Sequence, residues 1–493
     1  MLATIMQALD TTIANVALPY MQGTLSASQD QINWVLTSYI CAAAIMTAPV
    51  GWIANRFGRK RIFIICSAGF TIASVLCGLA QDIGQMVVFR LLQGVFGAAL
   101  VPLSQSVMLD AYPPEQRGQA MAIWGMGVML GPILGPALGG FLTDRYSWHW
   151  VFLINLPVGI VTVLGLMLFM DETRKQGHMR FDWFGFIALA IGIGALQLML
   201  DRGEQAGWFG STEILVELII SIAGFYFFFA HSLTTDEPFI RFELFKDRNF
   251  AAACLFMVMI GVSLFGTMAL ITPFTQNLLG YPILTAGFVL GSRGIGTLLA
   301  MMAVGKLLKF VEARTLVFCG LTLTAATLYH MVGFTTDTST QTIVVTGIIQ
   351  GAGLGLVFVP LSTVAFATLP GELRNSGTSM LTLVRNIGSS IGISMVIANL
   401  TSTTTLMHAR LSEHINPFNN ALQQAGSMLS TATDQGRALL DAMVTQQATV
   451  ISYDNTFKLL MILTLIALPL VLLIGTSRAK QNGGAPAEVH AMD

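Results

Sequence analysis

Windows of eighteen or more mostly apolar residues recur along the chain, separated by short polar or Gly/Pro-containing turns. That recurrence constrains the fold more than any other feature. The windows lie at about 1–20, 33–54, 62–80, 84–109, 119–142, 149–170, 183–200, 214–231, 250–276, 283–305, 315–334, 341–367, 377–400 and 456–475. Twenty helical residues reach about 30 Å, the thickness of a bilayer's hydrocarbon core. A lipid-exposed backbone must satisfy its own hydrogen bonds, and no stretch alternates with the period of a barrel strand. The expected fold is therefore all-α and integral to the membrane, with fourteen transmembrane helices. Charged residues make up only 10% of the chain, against roughly 25% in soluble domains, which decides for a polytopic membrane protein.

Lys and Arg set the orientation. With the N-terminus inside, seventeen of the 25 fall in inner loops and the tail and five in outer loops. The other three, Arg90, Arg293 and Arg385, lie inside spans. Both termini are expected to be cytoplasmic. The first basic residue is Arg56, so residues 1–20 lack the basic start of a signal peptide and read as a retained span. The five cysteines sit in apolar segments at spacings that fit neither a zinc site nor a redox pair, and read as core fillers. No metal, no cofactor beyond a proton gradient, no enzymatic activity and no nucleic-acid partner are expected.

An internal repeat divides the chain. Gln93-Gly94, Pro102-Leu103-Ser104 and Pro113 to Arg117 return as Gln350-Gly351, Pro360-Leu361-Ser362 and Pro370 to Arg374, at an offset of 257 with a one-residue shift between. Two six-helix halves, 1–170 and 250–476, are thus expected around an inserted helical pair within 171–249. Duplicated halves around a midplane site are the signature of a secondary transporter. The second half includes a long outer segment, 407–455. In it, Asn420 to Gln447 could form helices with Leu422, Met428, Leu429, Leu439, Leu440 and Met443 as an apolar face. That segment reads either as a solvated cap or as a docking surface. Residues 477–493 read as a disordered cytoplasmic tail.

One carboxylate, Asp10, falls halfway along the first span. An intramembrane acid is costly unless it is protonated, paired or facing water, so it is a functional-site candidate by default. Arg90 lies at a depth within about 4–5 Å of it, counting 1.5 Å per helical residue. The repeat partner of Arg90 is Gly347, so this charge belongs to the first half alone. Burial disfavours the charge on Asp10 and a neighbouring guanidinium favours it, a balance that cavity opening could switch. Asn15 and Gln93 are candidate cavity residues. So are Arg293 and Arg385, each of which could equally snorkel or pair with a carbonyl.

Four stretches, Leu9 to Pro19, Gly51 to Arg61, Arg90 to Gly94 and Gly131 to Gly140, together resemble the major facilitator superfamily, specifically its fourteen-span drug:proton antiporter branch. Leu200-Asp201-Arg202-Gly203, the Tyr112–Arg117 loop and the long last outer loop look closest to EmrB-type exporters. The resemblance implies two six-helix halves plus two inserted helices, and proton-coupled export of hydrophobic or amphipathic compounds by alternating access. It also implies a bacterial inner-membrane location, a periplasmic membrane-fusion adaptor and an outer-membrane channel. Gly127, Gly131, Gly135 and Gly139 recur every four residues and form a small-residue stripe for close helix packing. Pro132 and Pro136 each remove a backbone donor, which predicts a kink. In the family this element marks exporters. The Gly51 to Arg61 loop, with Gly51, Arg56, Gly58 and Arg59, also latches the halves in the family, using an acid where this chain has Asn55. A charge-based latch is therefore expected to be weakened. Other readings are export of a specific metabolite or siderophore-like compound, and a non-transporting membrane sensor. A membrane-embedded enzyme would need convergent polar groups within the spans, which the sequence shows only as scattered singles.

Overall fold

The computed structural model describes residues 1–113, 116–172, 180–235, 238–415 and 433–475. Every regular element among them is helical. The first part of the chain forms α1 (Leu2–Thr24), α2 (Gln29–Thr47), α3 (Val50–Phe57), α4 (Arg59–Gly78), α5 (Ile83–Gly97), α6 (Leu100–Ala111), α7 (Arg117–Arg145), α8 (His149–Leu153) and α9 (Asn155–Phe169). There follow α10 (Trp183–Ala206) and α11 (Thr212–Thr234). The remainder forms α12 (Arg248–Pro273), α13 (Ile283–Leu307), α14 (Ala313–Met331), α15 (Thr340–Ala365), α16 (Arg374–Ser412) and α17 (Asp434–Leu470).

Among the described residues, eleven helical rods are long and apolar enough to cross a membrane, and the bent pair α2–α3 makes a twelfth. Two more rods, α1 and α14, occupy positions where the sequence also predicts spans, but polar residues such as Asp10, Thr11, Thr12 and Asn15 dilute the apolar character of α1. The 55° bend between α2 and α3 falls at Pro49, whose ring removes a backbone donor. The helix α7, where Pro132 and Pro136 predict a kink, is continuous from Arg117 to Arg145.

Sharp helix starts follow from their caps. Ser28 accepts from the Gln31 amide and Gln31 answers with its side chain, a capping box at α2. Asp82, Asp182 and Asp247 cap α5, α10 and α12 with their carboxylates.

The apolar core is not uniform along the molecule. One cluster joins the two parts of the chain, with Leu109, Met121 and Trp124 among Phe250, Phe256, Phe358 and Leu381. Two others stay within one part each, around Ile13 and Val151 and around Phe274 and Phe457. The joining cluster lies toward the face that carries Arg56, Arg59, Lys60 and Arg61, called the basic face below.

Between the two parts, α10 packs against both α2 and α16. Ser390 donates to Gln197 Oε1 at 2.7 Å, Ser394 donates to the Leu200 carbonyl at 2.8 Å, and the Thr37 hydroxyl donates to Asp201. Gly192 and Gly224 let α10 and α11 touch, since a Cβ on Gly224 would lie 2.6 Å from the Gly192 nitrogen.

The expected spans 377–400 and 456–475 prove to be parts of much longer helices, and most of the described portion of the 407–455 loop is helical. Of its expected apolar face, Leu440 is buried while Leu439 and Met443 are exposed. Leu422, Met428, Leu429 and the 477–493 tail lie outside the described residues. The five cysteines are free; Cys77 and Cys254 are buried, whereas Cys319 is exposed and fills no core.

Candidate functional site

Asp10 is the one fully buried carboxylate among the described residues. Arg90 Nη1 donates to its Oδ2 at 2.8 Å. Gln93 Nε2 donates to Oδ1 at 2.8 Å, and Asn155 Nδ2 to the same oxygen at 3.1 Å. Helix spacing explains the pair on α5: residues three apart share a face, so Arg90 and Gln93 both turn toward α1. Arg90 Nη1 also reaches Gln93 Oε1 at 2.8 Å, and its Nε donates to the Val35 carbonyl at 2.9 Å. Its guanidinium lies 4.3 Å from the centroid of the Tyr39 ring, a cation–π contact. Asn155 is held in turn by Ser74 Oγ at 2.9 Å, which donates to the Phe152 carbonyl.

Three donors facing two oxygens suit an ionised carboxylate, which only accepts. Loss of a buried partner leaves an uncompensated charge and costs about 3–5 kcal/mol. The network thus ties Asp10 on α1 to α2, α4, α5 and the start of α9.

The glycine stripe sets where α1 lies. A Cβ on Gly131 would sit 2.2 Å from the Ala8 carbonyl carbon, and one on Gly135 would collide with Thr12 Oγ1. Gly127 faces Met1 and Gly139 faces Ile13. Thr12 donates to the Gly131 carbonyl at 3.0 Å. The four glycines therefore seat the helix that carries Asp10.

At the basic face, the two parts of the chain close on each other. A Cβ on Gly51 would lie 2.6 Å from Ser376 Cα. Asn375 Nδ2 donates to Asn55 Oδ1 at 2.6 Å, and Ser106 Oγ donates to Asn375 Oδ1 at 2.5 Å. Arg59 Nη1 donates to Asp110 Oδ2 at 2.5 Å and Arg374 Nη1 to Asp110 Oδ1 at 2.5 Å. Asn55 contributes a neutral hydrogen bond, and the acid in this contact is Asp110, which bridges an arginine from each part. Gly58 takes φ +96°, and Glu172 occupies the space a side chain would need there. Arg56 ends α3 half-buried.

The remaining candidates lie apart. Asn15 is exposed and outside the Asp10 network. Arg293 and Arg385 lie in the second part of the chain, and no described carboxylate forms an ion pair with either. Sequence reasoning missed Tyr39, Ser74, Asn155, Ser106, Asp110, Arg374 and Asn375. Only Arg374 had a signal, as the repeat partner of Arg117.

The sequence profile of the Major Facilitator Superfamily matches residues 1–393. The chain belongs to the major facilitator superfamily. Within it, the chain is 35% identical to the multidrug export protein EmrB of Escherichia coli (strain K12) over 476 residues, covering 95% of this chain and 93% of that one. It is 34% identical to the fatty acid resistance protein FarB of Neisseria gonorrhoeae, covering 98% and 96%. The fold is also that of solved superfamily structures. The proton:xylose symporter XylE matches with a TM-score of 0.58 at 13% identity, over 95% of this chain and 94% of that one. A bacterial homolog of the lysosomal transporter Spinster, inward-facing and unoccupied, matches with a TM-score of 0.57 at 20% identity, over 96% and 95%. The chain is accordingly a multi-pass membrane protein of a transporter family.

Proposed function

We propose that this superfamily member is a secondary active transporter that exports hydrophobic and amphipathic drugs or toxic compounds in exchange for protons. The observation that carries the reading is Asp10, fully buried and held by Arg90, Gln93 and Asn155. Similarity to a multidrug export protein across nearly the whole chain supports the direction and the cargo class. Asp10 takes up a proton when the Arg90 contact opens on one side of the membrane and releases it when the contact re-forms on the other. Proton and substrate thereby bias the same two conformations.

Alternating access needs a contact that is made in one state and broken in the other. The Asn55–Asn375 bond and the Arg59–Asp110–Arg374 bridge join the two parts at the basic face and have the geometry for that task. With basic loops inside, both termini are cytoplasmic in a bacterial inner membrane, and the structure corresponds to a state closed toward the cytoplasm. The decisive test is Asp10→Asn in liposomes. The variant should insert and bind substrate, yet transport driven by a pH gradient should fall to background; undiminished transport would sink the mechanism.

A periplasmic adaptor and an outer-membrane channel complete the proposed export path. At 1.5 Å per residue, α16 and α17 are each about 55–58 Å long, so both extend well beyond a hydrocarbon core of about 30 Å. His408 Nε2 lies 3.0 Å from Asp441 Oδ1 and ties the two extensions together. Deleting 420–447 should leave liposome transport intact and abolish export across two membranes. Export unaffected in cells would remove the adaptor from this reading.

A further inference from the structure

Where the last helix ends, its terminal carbonyls meet two arginines. Helix α17 stops at Leu470, and a short turn over Val471–Leu473 follows it. Arg248, at the start of α12, donates from Nε to the Leu473 carbonyl at 3.0 Å and from Nη2 to the Leu472 carbonyl at 3.3 Å. Arg314, at the start of α14, donates from Nε to the Val471 carbonyl at 3.2 Å and from Nη2 to the Leu472 carbonyl at 2.6 Å. Asn249 Oδ1 accepts from the Gly475 amide at 2.9 Å and ties down the chain just beyond. Helix ends leave carbonyls unpaired and carry partial negative charge, so cations suit this position. That accounts for one edge of each guanidinium.

The other edge has nothing to hold. A guanidinium presents five N–H donors in a fixed fork, and each arginine commits two of them, both on its Nε/Nη2 side. Among the described residues neither Nη1 has a partner and neither arginine forms an ion pair. Asp247, which precedes Arg248, instead caps α12 and accepts from Thr368. Both Nη2 atoms reach the Leu472 carbonyl, at 3.3 and 2.6 Å, so they lie no more than about 6 Å apart. Two positive charges at that spacing repel, and the helix end offsets only part of the repulsion. An oxyanion accepting from both free edges removes it, and a phosphate matches the fork.

The surroundings say what carries that phosphate. Leu472 and Leu473, whose carbonyls hold the arginines, are 66% and 40% exposed. Phe318, one turn along α14 from Arg314, and Leu255, two turns along α12 from Arg248, are exposed as well. In a multi-pass membrane protein such an apolar surface faces acyl chains, which sets the two arginines at headgroup depth. We propose that Arg248 and Arg314 bind the headgroup phosphate of an anionic phospholipid whose acyl chains lie against Leu472 and Phe318. The bound lipid clamps the starts of α12 and α14 to the end of α17. The proposal rests on the membrane embedding alone and is independent of what the protein exports.

The test is native mass spectrometry of the full-length protein in micelles with equal amounts of phosphatidylglycerol and phosphatidylcholine of identical acyl chains. Each basic residue at an anionic surface contributes about fivefold, so the wild type should retain phosphatidylglycerol roughly ten- to thirtyfold over phosphatidylcholine. The double variant Arg248→Gln, Arg314→Gln should lose that preference. Lys306→Gln with Lys309→Gln removes the same charge from exposed positions at the end of α13 and should leave the preference as it was. Equal retention of the two lipids by the wild type would overturn the proposal, and that comparison needs no variant to fold. A preference kept by the arginine variant, or lost to the same extent in the lysine variant, would overturn it too, since the basic face as a whole would then be its source. Millimolar glycerol 3-phosphate should leave the bound lipid in place; displacement would assign the site to a soluble phosphate and overturn the lipid.

Discussion

The bridge through Asp110 offers a quantitative handle on how the two parts hold together. Asp110→Asn keeps the shape and removes the charge that joins Arg59 to Arg374. Both arginine side chains are mostly buried, at 8% and 17% exposed, while the carboxylate is 34% exposed. A buried charge-assisted hydrogen bond contributes about 1.5–3 kcal/mol net, and an exposed ion pair about 0–1. With the acid one-third in water, each bond is discounted toward the exposed value, to about 0.5–1 kcal/mol, and the two contribute about 1–2 kcal/mol in all. Losing them should move the ratio of closed to open molecules at the basic face by roughly 5- to 30-fold. Spin labels at the exposed positions Phe57 and Phe310, in a background with the five cysteines replaced, report that ratio by pulsed electron resonance. The wild type in high salt should move partway in the same direction, because a bridge whose acid is one-third exposed is partly screened. Superimposable distance distributions for wild type and Asp110→Asn would refute the bridge as a determinant of closure.

Other expectations follow from the same contacts. Gly131→Ala should lower thermal stability by about 1–3 kcal/mol and abolish transport, since its methyl would meet the Ala8 backbone. Gly23→Ala, with nothing within 4 Å, should leave both unchanged; equal behaviour of the two variants in a melting assay would discount the stripe. Asn55→Asp places a carboxylate beside Asn375 and should alter the turnover rate, and an unchanged rate would remove this loop from gating. Asn155→Leu deletes one donor to Asp10 while leaving Arg90 in place, and should shift the pH dependence of transport without abolishing it. A pH profile coincident with the wild type would place Asn155 outside proton handling.

Helix content, approximate span positions and Asp10 were legible along the chain because a bilayer imposes local requirements: apolar length and internally satisfied backbone. Depth could also be counted, because helical rise is constant. Which side chains meet could not. Arg90 was a depth-matched candidate for Asp10, yet Asn155 and Tyr39 come from helices whose rotation no local pattern sets. Asp110 illustrates the same limit at the basic face. Read locally it is a carboxylate near a helix end; only the approach of α16 to α3 and α6 places Arg374 against it. The α2–α3 bend belongs to Pro49, a residue visible in sequence, whereas α7 carries two prolines and no break.

Sequence alone thus determined the class of molecule and the rarity of its buried acid, since hydropathy and charge act residue by residue. Tertiary structure decided what that acid touches, which acid bridges the two parts at the basic face, and which buried donors are left without a partner. Those depend on the packing of helices distant in sequence, set by small residues such as Gly131 and Gly351 that allow backbones within contact of each other.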